Sequence, residues 1–357
     1  MARRLESGDS VEGKKTTWVA LRRNPDTVVE ALGTASAVRR VIPASQQGDV
    51  LRISDSIEGE IGEAFSRPAP SSGKPWRHAT FSRETLDRTC EALLDLNAVP
   101  LPGGASVDLP LRALGDIARI GYDRRDITDA FEQVSESVGY PALWGQDPEK
   151  MLRLSAETNA ELRPRTKPAP GRERIKPADQ VWAGAGRLMI VERLWTVTYR
   201  VVGVVTPSRA VSNTWWSIHL HEDDPNAEHA LALWLNSTLG IASFIGAAEE
   251  TRGPWMAIKK NKLKTLPLLD TGALEDSVLQ DLANAWERHC ESELQAVSKL
   301  KDDPVRVNID SAISQALGVP EEGLSRLRSL LSAEPRVNPV VQPKPRPEGP
   351  AAGLSLF

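Results

Sequence analysis

Residues 187–206, RLMIVERLWTVTYRVVGVVT, form the tract that most restricts how this chain folds. Their β-branched side chains suit a pleated strand, and Gly203 marks a bulge or turn within the run. A second run of the same kind, AVSNTWWSIHL, follows at 210–220, so the pair predicts antiparallel strands of one small sheet. The period then changes. DPNAEHALALWLNSTLGIASFIGA has helical spacing, with Asp224 as N-cap and Pro225 at the first helical position. The expected class is α+β, a small mixed or antiparallel sheet with flanking helices and a C-terminal helical segment.

The rest of the chain fills in around this centre. TTWVAL near the N-terminus reads as a strand and DTVVEALGTASAVRRV as a helix, and a Pro/Gly/Ser linker covers 66–77. A helix is expected over 82–96, capped by Ser82, with Glu84 in its first turn and Leu86, Leu93, Leu94 and Leu96 as its apolar stripe. VDLPLRALGDIARIG (107–121) reads as a strand entering a short helix, and DITDAFEQVSES (126–137) as a helix with Thr128 near its start. The stretch 163–178, RPRTKPAPGRERIKPA, is basic and Pro-rich, the composition of an exposed linker. A long helix is expected over 273–300, with two shorter ones at 308–317 and 321–332. The chain thus divides into an N-terminal α/β segment and linker (1–80), a helical and mixed segment (81–165), a β-rich region (166–272), a helical region (273–333) and a Pro-rich tail (334–357) expected to be disordered.

Composition narrows the function classes. The formal net charge of the 357 residues is −4, whereas a free-standing nonspecific DNA binder is usually basic, so any nucleic-acid surface here must be local. Ten Trp stand against five Phe and three Tyr, and Trp suits partly wet contact surfaces as well as cores. Cys90 and Cys290 are far apart and belong to no C-x-x-C, which leaves no disulfide framework or zinc knuckle. MARRLESGDSVEGKK lacks the apolar stretch of a secretory signal, and no run approaches the roughly 18 apolar residues of a membrane span, so the cytoplasm is the expected compartment.

Most catalytic patterns fail on order or spacing. Gly184-Ala185-Gly186 precedes a strand, whereas a nucleotide loop needs its glycines after a strand and opening a helix. His219 and His221 alternate on a strand, with His229 and Asp223 nearby, a set that resembles metal ligands; without supporting outer-shell partners the plainer reading is a polar strand edge. Asp55 with Glu58, or Asp302 with Asp303, could suggest nuclease carboxylates, but a magnesium nuclease needs spaced acids with a lysine on adjacent strands, and the strand-rich region has Glu192 followed by Arg193 with no suitable partner acid; no Gly-x-Ser-x-Gly elbow occurs. No catalytic or metal-ligating residue is assigned.

The basic clusters remain. Arg187, Arg193, Arg200 and Arg209 lie in or beside the expected sheet, and arginine's fork matches guanine O6 and N7 in the major groove. The segment 252–264 holds Arg252, Lys259, Lys260, Lys262 and Lys264 with no acid, a set able to neutralise several phosphates. Trp255 in the same segment is placed to stack on a displaced base.

The order ALWLNSTLGIASFIG, RGPWMAIKKNKLKTLPLLD, a long helix, then VRVNIDSAISQALG and LSRLRSLLSAEP resembles the C-terminal target-recognition region of N-6 adenine DNA methyltransferases from restriction-modification and phage-defence systems. The likeness rests on Asn236, Ser237, Thr238 and Gly240; on Lys259, Lys260 and Lys262; on Leu266, Pro267 and Asp270; and on Arg306, Ile309 and Asp310. It covers about 107–333, roughly two thirds of the chain. The catalytic half of that family carries a Gly-rich S-adenosylmethionine loop and an Asn-Pro-Pro-aromatic motif. Here Asn24-Pro25 is followed by Asp and Asn338-Pro339 by Val, so neither pair fits. The resemblance therefore implies a DNA-recognition chain that binds double-stranded DNA and no cofactor of its own, beside a separate methyltransferase subunit that holds S-adenosylmethionine. Two other readings stay open: a defence-complex scaffold without DNA contact, and a nuclease of unrecognised type.

Overall fold

The computed structural model describes residues 81–338, apart from Ser82, Gln146 and 252–254, together with the backbone of three strands nearer the N-terminus. Those strands, β1 (Lys15–Leu21), β2 (Leu51–Asp55) and β3 (Gly59–Pro68), form an antiparallel sheet in the order β1-β3-β2. The strand expected at TTWVAL is β1. The helix expected at DTVVEALGTASAVRRV and the tail beyond Asn338 lie outside the described residues.

The main body is α+β and contains a seven-stranded mixed sheet. In chain order it begins with α1 (Glu84–Asp95), where Leu86 and Leu93 are buried while Leu96 is 71% exposed. Short strands β4 (Ala98–Pro100), β5 (Ser106–Asp108) and β6 (Leu111–Ala113) follow, then the one-turn α2 (Leu114–Ile117) and β7 (Ala118–Ile120). The helix expected over 126–137 is split. α3 (Arg124–Ala130), capped by Asp123, stops at Phe131, and β8 (Phe131–Val134) takes over. Its partner is remote in sequence: β8 pairs antiparallel with β10 (Ala160–Pro164), which also pairs with β9 (Pro141–Leu143). That tertiary pairing outweighs the local helical spacing.

The short helix α4 (Ala178–Trp182) leads into β11 (Gly186–Val191) and β12 (Arg193–Leu194), then β13 (Gly203–Ser212) and β14 (Trp215–Leu220). The large sheet runs β7-β14-β11-β13-β9-β10-β8. Its only parallel pair among the named strands joins β13 to β9. Leu188, Ile190, Val204 and Ile218 from its centre are fully buried.

Two apolar helices follow, the first packed on this sheet and the second against α1 and the first. Asp224 caps α5 (Pro225–Asn236) by accepting from the Asn226 amide at 2.9 Å, and Pro225 opens the helix as the sequence predicts. Ser237 caps α6 (Thr238–Ala247), and the two axes differ by 75°. Among the described residues no single helix is long and apolar enough to cross a membrane; the bent pair α5–α6 passes that test only when its halves are joined, and most of its residues are buried in the core.

Beyond it come β15 (Glu249–Glu250), β16 (Met256–Ala257), α7 (Lys260–Lys264) and β17 (Pro267–Leu269), the last pairing with β6. The helix expected over 273–300 ends early. α8 spans Asp276–His289, after which the backbone is captured by other loops: Leu294 N donates to Leu152 O, Val297 N to Tyr199 O and Ser298 N to Thr196 O, all at 2.9 Å. Leu294, Val297 and Leu300 are buried all the same. α9 (Pro304–Leu317), closed by Gly318 at φ 68, and α10 (Glu321–Ser332) complete the body.

Candidate nucleic-acid interface

The residues that carry the resemblance fall into two groups, one buried and one exposed. The buried group is a lock at the joint between α5 and α6. Asn236 is completely buried; its Oδ1 accepts from Val202 N at 2.9 Å, and its Nδ2 donates to Gly203 O at 2.7 Å and Ala232 O at 2.8 Å. Its own carbonyl accepts from Arg306, which also reaches the Arg200 carbonyl and pairs with Asp303 at 3.3 Å. Two positions on, Thr238 donates both its N–H (2.8 Å) and its hydroxyl (2.6 Å) to the Asp310 carboxylate, which Arg328 of α10 also binds. Burial pulls the Arg306 guanidinium down to about 10 and pushes the Asp310 carboxyl up, the latter against its Thr238 and Arg328 partners. Gly240 belongs to the same joint, since a Cβ there would overlap the Trp234 carbonyl. Asp270 acts similarly elsewhere, holding Arg112 at 2.8 Å while its N–H donates to Pro110 O, which fastens the end of β17 to β6. The side chains of the α5–α6 lock fix architecture and are buried away from solvent, whereas Asp270 and Arg112 also line a cleft.

The Gly184-Ala185-Gly186 stretch is a packing device. A Cβ on Gly186 would overlap the Ile218 carbonyl of β14, and one on Gly184 would lie 3.0 Å from the Gly121 Cα. Gly121 in turn leaves room for Ser217, whose hydroxyl donates to Gly184 O at 3.2 Å. At Gly186 and Gly121 hydrogen is the largest substituent that fits without a shift of the neighbours.

The exposed group is the basic helix α7 and its approach. Lys262 and Lys264 are exposed and make no close ion pair among the described residues, although, behind Lys259, Lys262 adds to the positive charge that lowers the Glu249 pKa. Lys259 is tied to Glu249 at 2.7 Å, an acid outside the 252–264 segment that the sequence scan did not connect with it. Lys260 Nζ donates to Gly121 O at 2.7 Å and lies 5.1 Å from the Tyr122 ring centre; burial lowers its pKa, against the pull of Asp126 and Asp123. Arg193, 65% exposed, stands on β12, which pairs with β16 just before α7. Trp255 is half-buried, with its ring centre 5.6 Å from Trp195 and 5.5 Å from Tyr199. Arg252 lies outside the described residues.

The other arginines of the sheet are not on this face in the same way. Arg200 Nη1 donates to Leu294 O at 2.8 Å and serves the α8–α9 connection. Arg209 Nε donates to Ala185 O at 3.0 Å and Arg187 Nε to Thr206 O at 3.1 Å. Arg187 also faces Glu228 of α5 at 3.3 Å. Burial raises the Glu228 carboxyl to about 7, with Arg187 and Arg209 opposing the rise and Asp223 and Asp224 adding to it.

A pH dependence follows from Glu228. The folded state keeps its proton to a higher pH than the unfolded chain, so folding is penalised progressively as pH rises from about 4.5 to about 7. At about 1.4 kcal/mol per pH unit, discounted for partial solvation, the penalty reaches ~2 kcal/mol above neutrality. Glu228→Gln is therefore expected to flatten the fall in melting temperature between pH 5 and pH 8. Parallel curves for the two proteins, followed by circular dichroism, would refute this.

Of the histidines weighed as ligands, His219 approaches Asp223 at 3.9 Å, and His229 stacks on Trp286 with ring centres 3.8 Å apart. Among the described residues no three His, Cys, Asp or Glu side chains are arranged to hold a metal ion. A cleft of about 350 Å³ beside the start of α5 is lined by Asp116, Glu222, Asp224, Asp270 and Asp276 among others, a lining that repels phosphate.

Sequence reasoning missed part of the surroundings of α7. Lys176, from the basic linker, lies 4.4 Å from the Tyr122 ring centre and pairs with Asp126 at 2.8 Å. The linker is fastened along α3, with Arg172 on Asp129 at 3.1 Å and Arg165 Nε on the Thr128 carbonyl at 2.7 Å. Its high charge was visible in the sequence; the acids of α3 that receive it were not spaced to announce the pairing. No protein-family model matches this chain, and no curated protein is found to be related to it.

Proposed function

We propose that this chain is the DNA target-recognition subunit of a split adenine methyltransferase in a restriction-modification or phage-defence system, acting in the cytoplasm beside a catalytic subunit that binds S-adenosylmethionine. The observation that carries the reading is the exposed basic helix α7, with Lys262 and Lys264 in no close ion pair among the described residues, in a chain of net charge −4. Local positive charge of this kind attracts phosphates without making the whole molecule basic. Arg193 on the neighbouring strand adds a guanidinium of the type that reads guanine edges, and the Trp195–Trp255 pair adds ring surface for an unstacked base. The partner flips the adenine and transfers the methyl group; this chain holds the duplex on the other side.

The test is duplex binding by electrophoretic shift, with and without the catalytic subunit, across salt concentrations. Changing Lys262 and Lys264 to Ala together is expected to make the log K against log salt plot shallower by about two contacts. An unchanged slope removes α7 from the interface. A stable protein complex with no DNA affinity at low salt replaces this reading with that of a scaffold.

A further inference from the structure

Resting on the DNA-binding reading above, we infer that the phosphate-binding track does not stop at α7 but turns past Tyr122 onto the first turn of α3, where Arg124, Arg125 and Lys176 continue it along the same duplex. Lys260 of α7 and Lys176 of the linker both approach the Tyr122 ring, at 5.1 Å and 4.4 Å. Tyr122 is thus the hinge point where two basic segments far apart in sequence become one surface. Arg124 and Arg125 follow directly; both are exposed, and neither has a carboxylate partner among the described residues. The acids of this corner are already engaged. Asp123 caps α3 by accepting from Asp126 N at 3.0 Å, and Asp126 holds Lys176. Asp123 keeps its charge when it accepts a backbone N–H, so the four cations Arg124, Arg125, Lys176 and Lys260 face the carboxylates of Asp123 and Asp126 and leave an excess of two positive charges, a balance suited to a phosphodiester backbone. The linker's attachment to α3 through Arg172 and Asp129 keeps Lys176 in place without a ligand.

The experiment uses the full chain. Arg124→Ala/Arg125→Ala and the charge-reversing Arg124→Glu/Arg125→Glu are compared with the unchanged protein in salt titrations of duplex binding, with melting temperature as the check on folding. The double alanine variant is expected to lower the magnitude of the salt slope by about two, with roughly a tenfold or greater loss of affinity at low salt, and the reversed variant to lose more. Equal slopes in protein that still binds DNA overturn the inference and leave the α7 interface standing. Intact DNA binding with lost association of the catalytic subunit overturns it too, by giving this corner to a protein partner. If the unchanged chain binds no duplex at all, alone or with that subunit, the underlying reading fails first and this one with it.

Discussion

Asp310→Ala is expected to destabilise the protein by about 3–5 kcal/mol, the loss typical when one partner of a buried ion pair is removed. Asp310 is almost wholly buried and receives three donors: the Thr238 N–H, the Thr238 hydroxyl and the Arg328 guanidinium. Truncation strands all three. The uncompensated charge of Arg328, itself only 7% exposed, is the costliest, because a lone buried cation has neither water nor a counter-ion. Thr238→Val should cost less, on the order of 1–2 kcal/mol, since the carboxylate keeps the backbone donor and Arg328. Chemical denaturation of both variants checks the ordering. Equal midpoints for Asp310→Ala and the unchanged protein would show that the lock contributes nothing.

Gly186→Ala ranks second, with an expected loss of about 3 kcal/mol or more. The added methyl would overlap the Ile218 carbonyl, which is backbone in the middle of the large sheet and has no rotamer to escape through. Either β11 separates from β14, losing ladder hydrogen bonds, or the irregular pairing between β11 and β13 at this point must widen. Gly323→Ala is the control: nothing lies within 4 Å of a Cβ there, and the exchange improves helix propensity within α10. Soluble yield and melting temperature should separate the two variants clearly. A Gly186→Ala protein that melts with the parent would mean the strands yield without penalty.

Local signals in the sequence translated well into structure. Asp224 and Pro225 set the start of α5 because a cap acts over three residues and needs no distant partner. The β-branched, near-continuous apolar runs at 187–191 and in 203–220 yielded strands because both faces of the sheet are covered there. What failed was decided from far away. Phe131–Val134 is a strand only because Ala160–Pro164 lies beside it, and the helix after Asp276 ends at His289 because loops at 152, 196 and 199 take its amides. The placement of the candidate site residues was legible to the same degree. Lys262 and Lys264 stand exposed on the segment that composition singled out, whereas Arg200, chosen by the same reasoning, turned inward to hold Leu294 O. Glu228 gave no sign, since the burial that raises its pKa and the arginine that faces it belong to other elements. Asn236, Arg306 and Asp310 stood out as a motif, but only the fold reveals that they bolt α5, α6 and α9 together.

The strand order carries a consequence for synthesis. β7, β8, β9 and β10 all leave the ribosome before β11, β13 and β14, yet they flank those three on both sides. β8, β10 and β9 can pair among themselves, but β7 waits for β14 and β9 for β13 while some fifty residues beyond Pro164 are polymerised, several seconds at usual rates of elongation. Nascent chains halted before residue 186 should therefore be protease-sensitive and prone to capture by chaperones, and protection should arrive abruptly once the segment ending at Leu220 clears the exit tunnel.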